Sequence, residues 1–355
     1  MATLQNLLGT DLPLIQAPMA GAQVGKLAIA VSNAGGLGSL PCAMLTLDAM
    51  RKELAEIRAH TDQPYNVNFF CHVPPVPSEE REARWRATLT PYYKEFGIDA
   101  ATIPAGPGRA PFTAEAAGVL EEFKPAVVSF HFGLPSAALL ARVRGWGAKI
   151  LSSATTVDEA RWLEDHGVDA VIAQGVEAGG HRGHFLSDDL TMQTGTFALL
   201  PQVVRAVKLP VIAAGGIADA RGVAAAIALG AAGVQVGTAY LLCPEASTSA
   251  VHRAALASFA AGDAARHTAL TNLFTGRPAR GIVNRFMREM GAIHAAAPEF
   301  PLATSGIMPL RTKAESQGSG DFSPLWSGQN ASGCKAIPAA DLTRELAAGF
   351  FPKAA

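Results

Sequence analysis

The sequence has little charge and no concentration of positive charge. Charged residues make up 17% of its 355 residues, and 29 Lys and Arg against 30 Asp and Glu give a formal net charge of −1. A nucleic-acid-binding protein needs a basic surface to neutralise phosphates, and no Lys- or Arg-rich run provides one. We therefore exclude nucleic acid as a partner. Hydrophobic residues make up 49%, so the chain can bury a large core and is not disordered.

Cysteine is scarce, and long uncharged runs are almost absent. The four cysteines show no CxxC pair and no His–Cys zinc spacing, so we interpret them as reduced thiols in a cytoplasmic protein without a signal peptide. Only Gly222 to Pro244 is uncharged and long enough to span a bilayer. Because Gly230 and Gly233 interrupt it, we predict a helix followed by a short strand, and no membrane partner.

Eight short apolar runs, each followed by a glycine or polar patch and a helical stretch, predict eight strands. The runs are Leu14–Ala17, Leu37–Leu40, Asn66–Phe70, Val127–Phe130, Ile150–Ser153, Ala170–Ala173, Val211–Ala214 and Val234–Val236. Continuous apolar strands are typical of a parallel sheet covered by helices. The predicted fold class is α/β, and eight units favour a TIM (β/α)8 barrel over a doubly wound sheet.

Helix start signals support this repeat. Thr156 and Glu159 form a capping box, in which both side chains satisfy free amides of the first turn. Asp219 caps an alanine-rich helix in the same way, with its carboxylate at the helix start.

Two segments fall outside the repeat. We assign 1–70 and 125–244 to the barrel and 71–124 to an insertion over the barrel mouth. The remaining 245–355 is predicted to form a mostly helical C-terminal lid or substrate region.

Glycine-rich turns follow the seventh and eighth predicted strands. Gly215-Gly216 and Gly237-Thr238 would expose backbone N–H groups at the carboxyl ends of these strands, where barrels bind phosphate. A single such turn is equally well explained by tight packing. Two adjacent turns favour a phosphate site.

The loop after strand six carries the most reactive side chain. Glycines at 179, 180 and 183 let the backbone lie close to a planar ligand, and His181 among them can exchange a proton near neutral pH. A metal site of Glu177, His181 and His184 is the less favoured alternative, because the paired glycines argue against a helix there.

Other candidates have weaker signals. His131, at the end of strand four, either faces the same barrel mouth or is a satisfied core residue. Arg182 and Arg280 either bind an anion or are simply solvated.

Eight segments together resemble the nitronate monooxygenase family, formerly 2-nitropropane dioxygenases, in its bacterial class I branch. They are Gln16-Ala-Pro-Met19, Asn66-Val-Asn68, His131-Phe-Gly133, Gln174 to Gly183, Ala214-Gly-Gly-Ile217, Gln235-Val-Gly-Thr238, Phe274 to Gly281 and Leu325 to Gln329. The resemblance spans nearly the whole chain, and its His-bearing segment is the most specific part. It implies a TIM-barrel flavoprotein that holds FMN noncovalently and oxidises alkyl nitronates, such as propionate 3-nitronate, with O₂ to a carbonyl compound and nitrite.

The resemblance also assigns residue roles. It implies His181 as the catalytic histidine beside the flavin, with His131 helping to place the nitro group. The FMN phosphate would lie on Gly216 and on Gln235 through Thr238, and the ring would contact Met19, Asn68, Gln174 and Gly179. The full set of implied cofactor residues is Met19, Asn68, Gln174, Gly179, Gly180, Gly215, Gly216, Gln235, Val236, Gly237 and Thr238. No resident metal is implied.

Two other functions remain open at this point. The first is an NAD(P)H-dependent FMN reductase of quinones or enoyl thioesters on the same fold, because fold alone does not fix activity. The second is a non-catalytic barrel that binds a phosphorylated metabolite. The sequence also leaves a homo-oligomer open.

Overall fold

The computed structural model describes residues 3–103, 109–264 and 266–351. The strands are β1 (Leu14–Gln16), β2 (Gly38–Pro41), β3 (Tyr65–Phe70), β4 (Val127–His131), β5 (Lys149–Ala154), β6 (Ala170–Gln174), β7 (Gly180–His181), β8 (Val211–Ala214), β9 (Gly233–Val236), β10 (Thr268–Thr271) and β11 (Ala279–Ile282). The α-helices are α1 (Leu4–Leu8), α2 (Gly25–Asn33), α3 (Leu47–His60), α4 (Glu79–Phe96), α5 (Ala114–Phe123), α6 (Ala137–Gly145), α7 (Val157–Asp165), α8 (Thr196–Ala206), α9 (Ala220–Ala228), α10 (Ala250–Ala260), α11 (Arg285–Met290), α12 (Ala303–Ser316) and α13 (Ala339–Ala347). Short 3₁₀ turns cover Ala100–Thr102, Leu190–Met192, Thr238–Leu242 and Ala348–Phe350.

Eight parallel strands form a barrel. Their order is β1-β9-β8-β6-β5-β4-β3-β2, and a parallel bridge between Ile15 and Leu37 brings the first strand next to the last. Each of the eight predicted strands is present, with both ends within one residue of the prediction. The predicted TIM-barrel class is therefore confirmed.

The helix signals are confirmed, with one difference of detail. The Thr156 hydroxyl accepts a hydrogen bond from the Glu159 backbone N–H at 3.2 Å, and Asp219 caps α9 through the Gly222 N–H at 2.9 Å. The Glu159 carboxylate, however, does not complete the box by accepting from the Thr156 N–H. It accepts instead from the N–H and hydroxyl of Thr155, at 2.6 and 2.8 Å, and from the N–H of Phe185 at 2.6 Å. The carboxylate of the predicted capping residue Glu159 thus also holds the loop that follows His184.

The helix ring around the barrel includes a helix from the far end of the chain. Helix α13 packs against α2 and α9, and its Leu342 and Leu346 are buried in the main core. No ring α-helix directly follows β9, so α13 takes the eighth position. Helix α5, which ends the segment 71–124, packs in the same core between α3 and α6.

A second hydrophobic core, which we call the lid core, joins the insertion to the C-terminal region. Trp85 and Tyr93 of α4 pack with Phe286, Ile307 and Phe322. The Trp85 indole N–H also donates to the carbonyl oxygen of Ala303 in α12 at 3.2 Å. These two parts of the chain, separated by about 200 residues in sequence, therefore support each other above the barrel.

A small antiparallel sheet was not predicted from the sequence. Its strand order is β10-β11-β7, and it pairs His181 with Ala279 and Gly180 with Arg280.

Within the described residues, no helix is long and apolar enough to cross a membrane. The uncharged stretch from Gly222 forms the rest of α9 and then β9, as predicted. None of the four cysteines is paired in a disulfide.

Candidate active site

A deep cavity opens at the carboxyl ends of the barrel strands. Register aligns these ends, because Ala214 pairs with Gln174 on one side and with Gln235 on the other. The predicted site residues that line the cavity are Met19, Asn68, His131, Gln174, Gly179, Gly180, His181, Gly215, Gly216, Gln235, Gly237 and Thr238. Val236 does not line it, because its side chain is 1% exposed and packs into the core between strands and helices. Its carbonyl oxygen accepts from the Ala17 N–H at 2.8 Å.

The two glycine turns offer free backbone donors. Gly215 and Gly216 have φ values of +111° and +76°, which residues with a side chain rarely adopt. Among the described residues, the backbone N–H groups of Gly216, Gly237 and Thr238 donate to no protein group. Unsatisfied N–H groups from two adjacent turns suit a phosphate.

A second unsatisfied group lies on the same wall. The side-chain oxygen Oε1 of Gln235 is buried and has no hydrogen-bond partner in the described part of the chain. A buried acceptor of this kind is costly unless a donor meets it. The free N–H groups suit a phosphate, and the buried acceptor on the same wall suits a ligand that also carries an N–H donor.

Gln174 holds the loop that carries His181. Its side-chain amide donates to the His181 carbonyl oxygen at 3.0 Å and accepts from the Gly183 N–H at 2.8 Å.

Gly179 is required because it packs against the backbone of the C-terminal region, a contact that the sequence did not reveal. A Cβ there would lie 2.5 Å from the backbone nitrogen of Gly328, so the loop packs against the C-terminal region rather than only against a ligand.

The His181 ring lies among aromatic side chains. Its ring centroid is 5.3 Å from that of Phe300 and 5.6 Å from that of Trp326, and Phe70 and Phe132 are each 6.0 Å away. Burial, followed by the positive charge of Arg109, holds the pKa of His181 well below its usual value of 6.5. The imidazole is therefore neutral at pH 7 and can accept a proton.

Thr275 binds one nitrogen of the His181 ring. Its Oγ1 lies 2.9 Å from His181 Nε2 and 3.4 Å from the carbonyl oxygen of Arg277. With the hydroxyl oxygen as the acceptor of Nε2–H, the lone pair of the ring is on Nδ1. Among the described residues, Nδ1 has no hydrogen-bond partner.

His131 binds the loop that carries His181. Its Nε2–H donates to the His181 carbonyl oxygen at 3.2 Å, and its Nδ1 accepts from the Ser153 hydroxyl at 2.6 Å. Burial lowers the pKa of His131 to about 3, so the ring is neutral. Both nitrogens are engaged within the protein, and the bond to the carbonyl oxygen helps to hold the His181 loop. Placement of the nitro group by His131, the role that the resemblance implies, stays a prediction.

The two arginines considered as anion ligands are neither solvated nor open to a ligand. Arg182 is fully buried and donates to the carbonyl oxygens of Gly175 and Gln174 at 2.7 and 2.8 Å. Arg280 is 6% exposed and donates to the Val176 carbonyl oxygen at 2.8 Å. Both guanidinium groups fix the backbone around the His181 loop.

The metal alternative is not supported by the geometry. The Glu177 carboxylate accepts from the Thr196 N–H at 2.8 and 2.9 Å, and thereby caps α8. His184 Nε2 lies 3.5 Å from Asp188 Oδ1 rather than beside Glu177. In the described ranges, no three His, Cys, Asp or Glu side chains are arranged to hold a metal ion.

Several cavity residues were missed from the sequence. Ser129 and Ser153 face the cavity from β4 and β5, and polar residues within apolar strands were the available signal. Arg109 and Arg311 come from the insertion and from α12, where no local pattern marks them. Trp326 lies within a segment of the resemblance but was given no role.

Comparison with known proteins identifies the family. A sequence model described as nitronate monooxygenase matches residues 2–349. The chain is 44% identical to a nitronate monooxygenase of Paraburkholderia phytofirmans over 347 residues, covering 96% of this chain and 92% of the relative. It is 42% identical to that of Pseudomonas aeruginosa over 350 residues, covering 96% and 97%.

This chain belongs to the nitronate monooxygenase family. A solved structure described as nitroalkane oxidase from Streptomyces ansochromogenes has 39% sequence identity and a TM-score of 0.87, and the match covers 99% of this chain and 98% of that one. The family consists of flavin-dependent oxidoreductases, so the chain is an enzyme of that class. The resemblance stated from the sequence motifs is confirmed.

Proposed function

We propose that the chain binds FMN and oxidises alkyl nitronates, including propionate 3-nitronate, with O₂ to a carbonyl compound and nitrite. The observation that carries this proposal is the composition of one cavity. It combines a neutral, desolvated His181 with two glycine turns whose N–H groups are free. The first suits proton transfer from carbon, and the second suits a cofactor phosphate.

The cofactor would lie across the strand ends. Gly215, Gly216 and the turn from Gln235 through Thr238 would hold its phosphate, with Val236 contributing only main-chain atoms. The ring-contacting set would be Met19, Asn68, Gln174, Gly179 and Gly180. Bound FMN would supply the electron-transfer chemistry that no side chain provides.

His181 would act on the carbon next to the nitro group. With a neutral nitroalkane, its Nδ1 lone pair would take the proton and leave the nitronate anion. With a preformed nitronate no proton needs to be removed, and the residue would orient the substrate. The aromatic wall of Phe70, Phe300 and Trp326 would exclude water, so the anion would be held with little hydration.

The supporting structure would act through position. Gln174 and His131 both bind the His181 carbonyl oxygen, and Thr275 binds its ring. These contacts limit the freedom of the imidazole, which favours proton transfer because misplacement of a reacting group is costly.

The cofactor part is tested by an absorbance spectrum of the purified protein. We expect a yellow protein that releases FMN into the supernatant on heating. A colourless preparation that does not take up added FMN would contradict the proposal and favour a metabolite-binding barrel.

The oxygenase part is tested by anaerobic mixing with NADH or NADPH. We expect slow or no bleaching of the flavin absorbance. Rapid bleaching by either would favour a flavin reductase of quinones or enoyl thioesters.

We also propose a cytoplasmic location, consistent with four unpaired thiols.

A further inference from the structure

One positive charge in the cavity has no counter-charge. Arg109 extends from the insertion into the cavity wall, and its Nη1 is buried without a hydrogen-bond partner among the described residues. Its other side-chain contacts are weak. Nη2 lies 3.9 Å from the Met44 sulfur, and the guanidinium carbon lies 5.6 Å from the ring centroid of Phe300.

The protein supplies no carboxylate to this cavity. No Asp or Glu occurs in the sequence outside the described ranges, and none of the described ones lines the cavity. The other cation on the wall, Arg311, is held by Glu315 at 2.8 Å. Burial, and then the charge of Arg311, lowers the pKa of Arg109 to about 10, so the group is still charged at pH 7.

Arg109 is partly buried, and a cation with a buried nitrogen that lacks a partner is unfavourable. A ligand of opposite charge would offset that cost. The guanidinium has free donors in a planar fork, which matches the two oxygens of a carboxylate. A ligand with an anionic group near Arg109 would therefore supply the missing partner of its guanidinium group.

The position of Arg109 favours the far end of a substrate over its reacting end. Arg109 and His181 both contact Phe300, at 5.6 and 5.3 Å from the ring centroid. The neighbouring Met44 is 49% exposed, so Arg109 lies on the outer part of the wall. A substrate of a few carbon atoms could place its nitronate at His181 and reach Arg109 with its other end.

We propose that Arg109 binds a second negative charge on the substrate, a carboxylate a few bonds from the nitronate carbon, and so makes the enzyme selective for nitronates that carry a carboxylate. This inference rests on the proposed function. It adds a specificity-determining residue that the sequence analysis did not identify.

The test compares two substrates of similar length in Arg109→Gln. Propionate 3-nitronate carries the carboxylate, and propyl-1-nitronate does not. We expect kcat/KM for propionate 3-nitronate to fall about 10- to 100-fold, the range for a charge-assisted hydrogen bond, mainly through KM. For propyl-1-nitronate we expect a change below about 3-fold. Arg109→Lys should recover part of the loss, because it keeps the charge without the fork.

Arg84→Gln is the matched control. It removes the same charge from the same insertion, but Arg84 forms an exposed ion pair with Glu80 at 2.7 Å on α4. It should not change the ratio of the two kcat/KM values. An equal loss on both substrates in Arg109→Gln, or no loss on either, would overturn the proposal.

A binding measurement separates this proposal from the proposed function. If the wild type releases nitrite from neither nitronate, the proposed function fails, and calorimetry with succinate then tests Arg109 alone. We expect Arg109→Gln to weaken succinate binding about 10-fold or more and Arg84→Gln to leave it unchanged. Equal succinate affinity in the wild type and Arg109→Gln, or no succinate binding by the wild type, would contradict the role of Arg109.

Discussion

At the scale of single residues, His181 combines an apolar environment with a fixed orientation. The surrounding rings favour its neutral form, Thr275 contacts its ring, and Gln174 holds its backbone. A proton-accepting imidazole is needed only when the substrate still carries its carbon-bound proton. The two forms of one substrate therefore separate the role of this residue from a general structural effect.

We predict that His181→Asn loses activity on neutral nitroethane far more than on preformed ethyl nitronate. Removal of a general base costs about 100- to 10,000-fold, whereas a nitronate requires no proton removal. The measurement is kcat/KM on both forms, with FMN content as the control for folding. An equal loss on both forms would contradict the assignment of His181 as the base.

The pH dependence follows from the lowered pKa of His181. A lowered pKa keeps the imidazole unprotonated below pH 6.5, so the activity should persist there and decline only at lower pH. We predict that kcat/KM for neutral nitroethane is constant from about pH 7.5 to about pH 6.5, and that its acid limb lies below the usual histidine value. An apparent pKa at or above 6.5 would show that the ring is not desolvated during catalysis.

Sequence reasoning reached His181 because its loop has a dense local pattern. Gln174, four glycines and a histidine lie within ten residues, and each has a chemical meaning on its own. Arg109 has no such pattern. Its lack of a counter-charge becomes visible only when all parts of the chain that surround the cavity are in place.

At the scale of elements, the His181 loop is packed so tightly that it tolerates no added atom at one point. A Cβ on Gly183 would lie 2.7 Å from both His131 Cε1 and Ser153 Oγ. Both of these groups are held by hydrogen bonds to each other or to the loop, so neither can move freely.

We predict that Gly183→Ala displaces the loop and lowers kcat/KM about 10- to 100-fold on both nitroethane and ethyl nitronate. The control is Gly145→Ala, at the end of α6, where a Cβ would meet no atom within 4 Å. That variant should keep full activity and gain up to about 1 kcal/mol in free energy of unfolding. Full activity in Gly183→Ala would contradict the tight packing of the loop.

Prediction of elements from sequence succeeded where the signal was local. The eight barrel strands are apolar runs that can be read one at a time, and Asp219 caps its helix as expected. Strand β7 was missed because it consists of two residues that pair with β11, about 100 residues later. Helix α13 was assigned to a lid for a similar reason. It packs beside α2 and α9, which are distant in sequence, and no local pattern indicates that contact.

At the scale of the whole molecule, the lid core determines the outer half of the cavity. The insertion carries Arg109, and the C-terminal region carries Phe300, Arg311 and Trp326. Trp85 joins these two regions, being 2% exposed and hydrogen-bonded to Ala303. The glycine turns, in contrast, belong to the barrel. We therefore expect substrate binding and cofactor binding to depend on different cores.

We predict that Trp85→Ala lowers the free energy of unfolding by about 3–5 kcal/mol and raises KM for nitronates, while FMN remains bound. The measurements are denaturant unfolding, steady-state kinetics and flavin content. Phe197→Ala is the control, because Phe197 is 75% exposed and its loss should change stability by less than about 0.5 kcal/mol. Loss of FMN in proportion to the loss of substrate affinity would contradict the separation of the two cores.

Nitrite release from a preformed nitronate in air, without NADH or NADPH, distinguishes the proposed oxygenase from a flavin reductase. Purified protein is mixed with propionate 3-nitronate or ethyl nitronate, and nitrite and O₂ are followed together. We predict that nitrite appears as O₂ is consumed, at a rate proportional to the FMN content of the preparation. The absence of nitrite from an FMN-loaded protein, or an absolute requirement for NADH or NADPH, would contradict it.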